Sequence, residues 1–153
     1  MIRREDDGYW LGHQETIAAH HEDVFAALTT PAGLTRWFPL AAQVDLREGG
    51  LIVLGWDEKF ARKTTVAILD YGAAGTIVWD WFASHGDAHA PLYWIVEPAV
   101  ESGSIVSLEQ GPFLGDSDSL VAMAEEAQFW AWHLCNLRGV LEANHDMRKI
   151  RPL

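Results

Sequence analysis

The chain has 153 residues, of which 49% are hydrophobic and 22% charged, so it reads as one domain over 1–153 that can close a core without metal or disulfide support. A formal charge of −11 repels phosphate backbones and anionic headgroups, which argues against nucleic acid and membrane surfaces as partners. There is no apolar run long enough to insert in a membrane and no basic-then-apolar leader after Met1, and the single Cys135 fits a reducing cytoplasm.

Residues 9–18 alternate as a first strand, with the pattern disturbed at Gly12. His20-His21-Glu22-Asp23 opens a helix whose two acids suit the positive end of the dipole, and Val24, Phe25, Ala27 and Leu28 form its apolar side. Thr29-Thr30-Pro31 breaks it, and a second short amphipathic turn through Leu34, Trp37 and Phe38 stops at Pro39. A short strand over 44–46 ends at Gly49-Gly50. Further β-type runs cover 51–56, 64–71, 76–82, 92–96 and 104–110, separated by brief turn signals, which argues for an antiparallel meander. The last element is a long helix over about 119–144, with N-cap candidates at Asp116 to Ser119 and early-turn acids at Glu125-Glu126. Met123, Ala127, Trp130, Leu134, Leu137 and Leu141 keep one face of it.

The segments ALTTPAGLTRWF (27–38), VDLREGG (44–50), the pair Glu97-Pro98 and LCNLRGVLEANHDMR (134–148) resemble the START-like, or SRPBCC, helix-grip superfamily. Within it the chain is most similar to the branch named after the activator of heat-shock protein 90 ATPase. The resemblance implies an α+β, Bet v 1-like fold: a curved antiparallel sheet of about seven strands wrapped around the C-terminal helix, with two short helices after strand 1. Where many relatives carry Gly-Thr and a strand ending in histidine, this chain has Gly103-Ser104 and Gln110.

The family pattern chooses which strand face turns inward. It places Ile52, Leu54, Trp56, Ile77, Trp79, Trp81, Leu92, Trp94, Val96, Val106, Leu108 and Gln110 inside, opposite Trp130 and Leu134, with Trp37 and Phe38 closing the mouth. Such a chamber, with six of the eight tryptophans, has the make-up of a small-molecule site. The alternative is that the indoles interdigitate and leave no void. Gln110, if buried, must read a ligand or brace a loop. Asp80 alternates to the face opposite Trp79 and Trp81, His133 flanks the core stripe, and Cys135 reads as a small buried residue. His85, Asp87 and His89 form an H-x-D-x-H loop without the further ligands a metal site requires. No metal, cofactor or catalytic set is expected.

The leading expectation is a binding protein for an apolar or amphipathic small molecule, with Trp37, Phe38, Ile52, Leu54, Trp56, Trp79, Trp81, Trp94, Val96, Leu108, Gln110, Trp130 and Leu134 as the ligand-binding set. An enzyme of cyclase or hydrolase type using Asp80, Gln110 or His133 is the second, and a co-chaperone-like interaction protein the third. On the outer face of the long helix, Val121, Gln128, Trp132, Cys135 and Gly139 suggest a two-fold homodimer centred on Trp132. A neighbouring loop or the C-terminal tail lying over Trp132 is the competing expectation.

Overall fold

The structure, a computed structural model, describes residues 1–83 and 89–150. Eight strands form one sheet: β1 (Ile2–Glu5), β2 (Gly8–Ile17), β3 (Ala41–Val44), β4 (Leu51–Gly55), β5 (Lys63–Asp70), β6 (Thr76–Asp80), β7 (Leu92–Pro98) and β8 (Ser104–Phe113). Their order is β1-β2-β8-β7-β6-β5-β4-β3, and every neighbouring pair is antiparallel. Strands β3 to β8 run as a meander, while the long-range pairing of β2 with β8 brings the N-terminal hairpin beside the last strand. Two short helices, α1 (His21–Thr29) and α2 (Pro31–Thr35), sit between β2 and β3, and α3 (Ser117–Ala143) follows β8. This is the helix-grip architecture expected from the sequence.

β6 ends at Asp80, two residues short of its expected limit, while β7 and β8 run on to Pro98 and Phe113, and three further features differ from the sequence reading. The residues before position 8 form a strand of their own, β1, whose pairing with β2 raises the count to eight. The strand expected at 44–46 lies at Ala41–Val44 instead, because it begins as soon as Pro39 releases the chain, while at Asp45 the chain turns, its carbonyl accepting the Arg47 N–H at 2.9 Å. In β2 the register shifts between Tyr9 and Leu11, so the irregularity lies at Trp10 and not at Gly12.

Local chemistry explains the helix ends. His20 caps α1, its Nδ1 accepting from the Glu22 N–H at 3.3 Å, and Thr30 caps α2 with Pro31 at its first position. Gly33 lets α2 fold back on α1, since a Cβ there would stand 2.1 Å from the Ala26 carbonyl oxygen. Asp116 caps α3, and Asn144 ends it in the left-handed conformation at φ 52°, where His145 N–H returns to the Gly139 carbonyl at 3.0 Å. With 27 residues, α3 is about 40 Å long and can cross the whole sheet. No helix among the described residues is long and apolar enough to cross a membrane.

The concave side of the sheet and the buried face of α3 enclose one aromatic core, continuous from Ile17 and Leu28 to Trp79, Trp94, Trp130 and Leu137. A smaller cluster of Leu11, Ala83, Ala90, Phe113, Ala122 and Met123 closes the end where α3 begins. At the opposite end a polar strap fixes the turn after α2. Arg148 donates to the carbonyls of Thr35 (2.8 Å), Phe38 (3.2 Å) and Pro39 (2.8 Å), and pairs with Asp146 at 2.8 Å. Asn136 completes it, donating to the Trp37 carbonyl at 2.8 Å and accepting the Met147 N–H at 2.7 Å.

Replacing Arg148 with Met would leave three carbonyls of that turn without their donor and Asp146 without its cation. The expected cost is about 3 kcal/mol, or a Tm lower by roughly 6–12 °C, read by thermal melting. An unchanged Tm would show that the strap does not hold the turn.

Candidate functional site

Alternation along β4, β6, β7 and β8 turns Ile52 and Leu54, Ile77 and Trp79, Leu92, Trp94 and Val96, and Val106, Leu108 and Gln110 to the same concave side, all of them buried. Trp37, Phe38, Trp81, Trp130 and Leu134 are buried with them, and Trp56 is half-buried against the same cluster. The residues expected to line the interior are thus brought together. They do not stand apart: Trp94 lies 5.3 Å from Trp79 and 5.6 Å from Trp130, centroid to centroid, and Trp130 lies 5.3 Å from Trp81. Most of these pairs are tilted or edge-to-face, the arrangement aromatic quadrupoles favour.

Trp37 and Phe38 are not at the mouth. Both are fully buried, because the strap pulls their turn under α3 and the Trp37 N–H is spent on the Ala27 carbonyl at 2.8 Å. The rim is made by other residues. Trp56 at the end of β4, Arg62 in the β4–β5 loop, and Phe129 and His133 on α3 line an open cleft of about 210 Å³. Phe38 is the floor beneath it. The rings of Trp56, Phe129 and His133 stand on Phe38 at 79°, 76° and 76°, with centroids 5.3, 6.1 and 4.8 Å away.

Three polar side chains on the inner face of α3 contradict a purely apolar stripe. Glu126 is 1% exposed, where the sequence suggested only an acid for the helix dipole. Its Oε2 accepts from Trp81 Nε1 (3.1 Å), Gln110 Nε2 (2.9 Å) and Trp130 Nε1 (3.0 Å). His133 is 2% exposed, so it belongs to the core and not to its flank, and Asn136 is fully buried in the strap. The missed signal was position: 126, 130, 133 and 137 follow the same 4-3-4 rhythm as the apolar stripe.

Gln110 is buried as expected, and it braces the fold through Glu126. Its Oε1, however, accepts no hydrogen bond from the described residues, and among them Trp79 Nε1, Trp94 Nε1 and His133 Nδ1 are likewise buried without partners. Burial pushes the His133 imidazole down to a pKa of about 4, with the Arg148 charge acting in the same direction. His133 therefore lines the cleft as a neutral ring.

Other expectations resolve differently. Asp80 faces away from Trp79 and contacts the His89 imidazole, so Asp80, Gln110 and His133 do not converge and cannot act together as an acid–base set. Cys135 is exposed, being on the outer face of α3 opposite the core. The space at Gly139 is taken by this chain itself, since a Cβ there would stand 3.0 Å from the His145 carbonyl oxygen. His85 and Asp87 of the H-x-D-x-H loop, and tail residues 151–153, lie outside the described residues. Among the described residues no cluster of three or more His, Cys, Asp or Glu could hold a metal ion.

Residues 18–142 match the family described as Activator of Hsp90 ATPase homolog 1-like protein, and the chain belongs to it. No curated protein matches the sequence. Among solved structures, the chain is similar to the Aha1 dimer of Colwellia psychrerythraea determined in solution, at 20% identity over 88% of this chain and 96% of that one, with a TM-score of 0.71. It is also similar to a protein of Staphylococcus saprophyticus, at 19% identity, 91% and 96% coverage and a TM-score of 0.75. CalU16 of Micromonospora echinospora gives 19% identity, 98% and 86% coverage and a TM-score of 0.69. At these identities the likeness is one of fold.

The depressed His133 pKa makes a signed statement about stability. The unfolded chain takes up its proton near pH 6.5 and the folded chain only near pH 4, so the neutral ring favours folding above 6.5 and that advantage is lost as the pH falls to about 4. Urea unfolding should show a loss on the order of 3 kcal/mol across this window, and His133→Phe should flatten most of it. The same slope in the variant would assign it to other groups.

Proposed function

We propose that this family member binds a small apolar or amphipathic molecule, which enters between sheet and α3 at the cleft over Phe38. The observation that carries this reading is the combination of an open aromatic-walled cleft with unpartnered polar atoms behind it. A core filled only for stability has no reason to leave a carboxamide oxygen and an imidazole nitrogen without hydrogen bonds, each costing about 1–3 kcal/mol. Small-molecule sites combine such apolar walls with a few polar groups. The cleft lies below the ~300–1,000 Å³ of drug-sized sites, so the first contact is with one or two fused rings or a short chain. Trp56, Phe129 and His133 would hold it at the rim, with Phe38, Trp81 and Trp130 behind and the rest of the expected lining, from Ile52 to Leu134, as supporting wall. The exposed thiol of Cys135 suits a reducing compartment, which favours the cytoplasm.

Naphthylmethanol is a suitable neutral probe, followed through tryptophan fluorescence. Saturable quenching with a Kd in the micromolar range is expected, weakened at least tenfold by Phe129→Ala, which removes one wall. Absence of saturable quenching, or quenching indifferent to Phe129, would overturn the reading.

A homodimer is a second proposal, favoured by the partly exposed indole of Trp132 on the outer face of α3, beside exposed Val121, Gln128 and Cys135. The similar Colwellia psychrerythraea protein is itself described as a dimer. Light scattering at micromolar concentration should give twice the monomer mass for the wild type and the monomer mass for Trp132→Glu. A monomeric wild type would end the proposal.

A further inference from the structure

Resting on that binding reading, we propose that the cleft selects a planar aromatic anion, such as an aryl carboxylate, with Arg62 as the residue that sets this preference. The rings supply shape and apolar contact but cannot choose between a neutral, a cationic and an anionic ligand of the same outline. The choice falls to the charged groups at the rim. Of the four lining residues only Arg62 carries a charge at neutral pH, because His133 is held neutral by its burial.

Arg62 is also available. Among the described residues its guanidinium makes one long hydrogen bond, from Nη2 to the Trp56 carbonyl at 3.3 Å, and forms no ion pair. Of the two acids in the same loop, Asp57 and Glu58, Asp57 is turned into the loop itself. Its two oxygens accept the backbone N–H groups of Arg62 (2.7 Å), Ala61 (3.1 Å) and Lys59 (2.9 Å), which together with the weaker pull of the Arg62 charge hold its pKa below the usual carboxylate value, but it forms no ion pair with the guanidinium. The bond to the Trp56 carbonyl tethers the guanidinium beside the indole that forms one wall. A carboxylate attached to a ring in the cleft would then meet a planar, multiply donating cation of matching geometry.

His133 adds direction. Its Nδ1 is buried without a partner among the described residues, which leaves Nε2 as the nitrogen able to serve the cleft that the ring lines. A neutral imidazole with the proton on Nε2 offers a second donor to the same anionic group.

Two opposing effects are weaker. The net charge of −11 disfavours anions at long range, but exposed charges beyond about 8 Å are largely screened at physiological ionic strength. Aromatic walls also attract cations, yet a cation seated there would share the rim with Arg62.

The test compares three probes of one shape by tryptophan fluorescence: naphthoate, naphthylmethanol and naphthylmethylammonium. The wild type should bind naphthoate at least tenfold tighter than the alcohol and the ammonium most weakly. Arg62→Gln should bring the naphthoate-to-alcohol ratio to about one, Arg62→Lys should restore part of it, and Lys59→Gln, which alters charge in the same loop away from the cleft, should leave the ratio as in the wild type. Alcohol binding without preference for naphthoate, a preference for the ammonium, or a ratio unmoved by Arg62→Gln would overturn this inference while leaving the binding reading intact. If no probe binds, the binding reading falls and this inference with it.

Discussion

A carboxyl group inside an aromatic core is tolerable only where donors meet it, and here they meet on one oxygen. Glu126 Oε2 receives N–H groups from Trp81 just past β6, Gln110 on β8 and Trp130 on α3 itself. Hydrophobic burial drives α3 onto the sheet but has no direction, so it does not set the roll of the helix. Three N–H vectors converging on one atom do. They also fix the planes of two indoles, since an indole donates from a single point on its ring. The 65° crossing of Trp81 and Trp130 and the packing of Phe38 against both follow from that constraint.

The strap does the same at the other end of the helix. Asn136 lies ten residues beyond Glu126, about 15 Å along the axis, and the C-terminal residues 146–148 bind the turn that carries Trp37 and Phe38. The aromatic block is therefore held between two polar anchors, one on the sheet and one on the helical end. His133 sits between them, close enough to Arg148 for its charge to oppose protonation. A buried ring so placed stays neutral, and so adds contact area at the cleft without adding charge.

Most of the architecture was legible because its signals are periodic. Alternation with turn residues marked the strands, and the inward tryptophans followed from alternation once the family pattern chose the face. Caps and the 4-3 rhythm marked α3, whose Asp116 and Asn144 ends match its expected limits closely. What escaped was decided by tertiary context. Nothing local in Ile2–Glu5 announces a strand; it pairs because β2 extends far enough to be paired with. Glu126 and His133 stand at core positions of the helical rhythm, but residue type outweighed position, so that one reads as an early-turn acid and the other as a flank of the stripe. Cys135 shows the reverse error, an apolar type read as buried at an outward position.

The distribution of satisfied and unsatisfied polar atoms separates what holds the fold from what is free to act. Glu126, Asn136 and Arg148 are each engaged by several partners from different elements, so changing them disturbs the arrangement of the whole. Arg62, by contrast, belongs to a hairpin loop whose shape Asp57 already fixes through backbone N–H groups. Its side chain contributes little to that shape and can vary without unseating the loop. Rim chemistry can thus change while the anchored aromatic block beneath it stays the same.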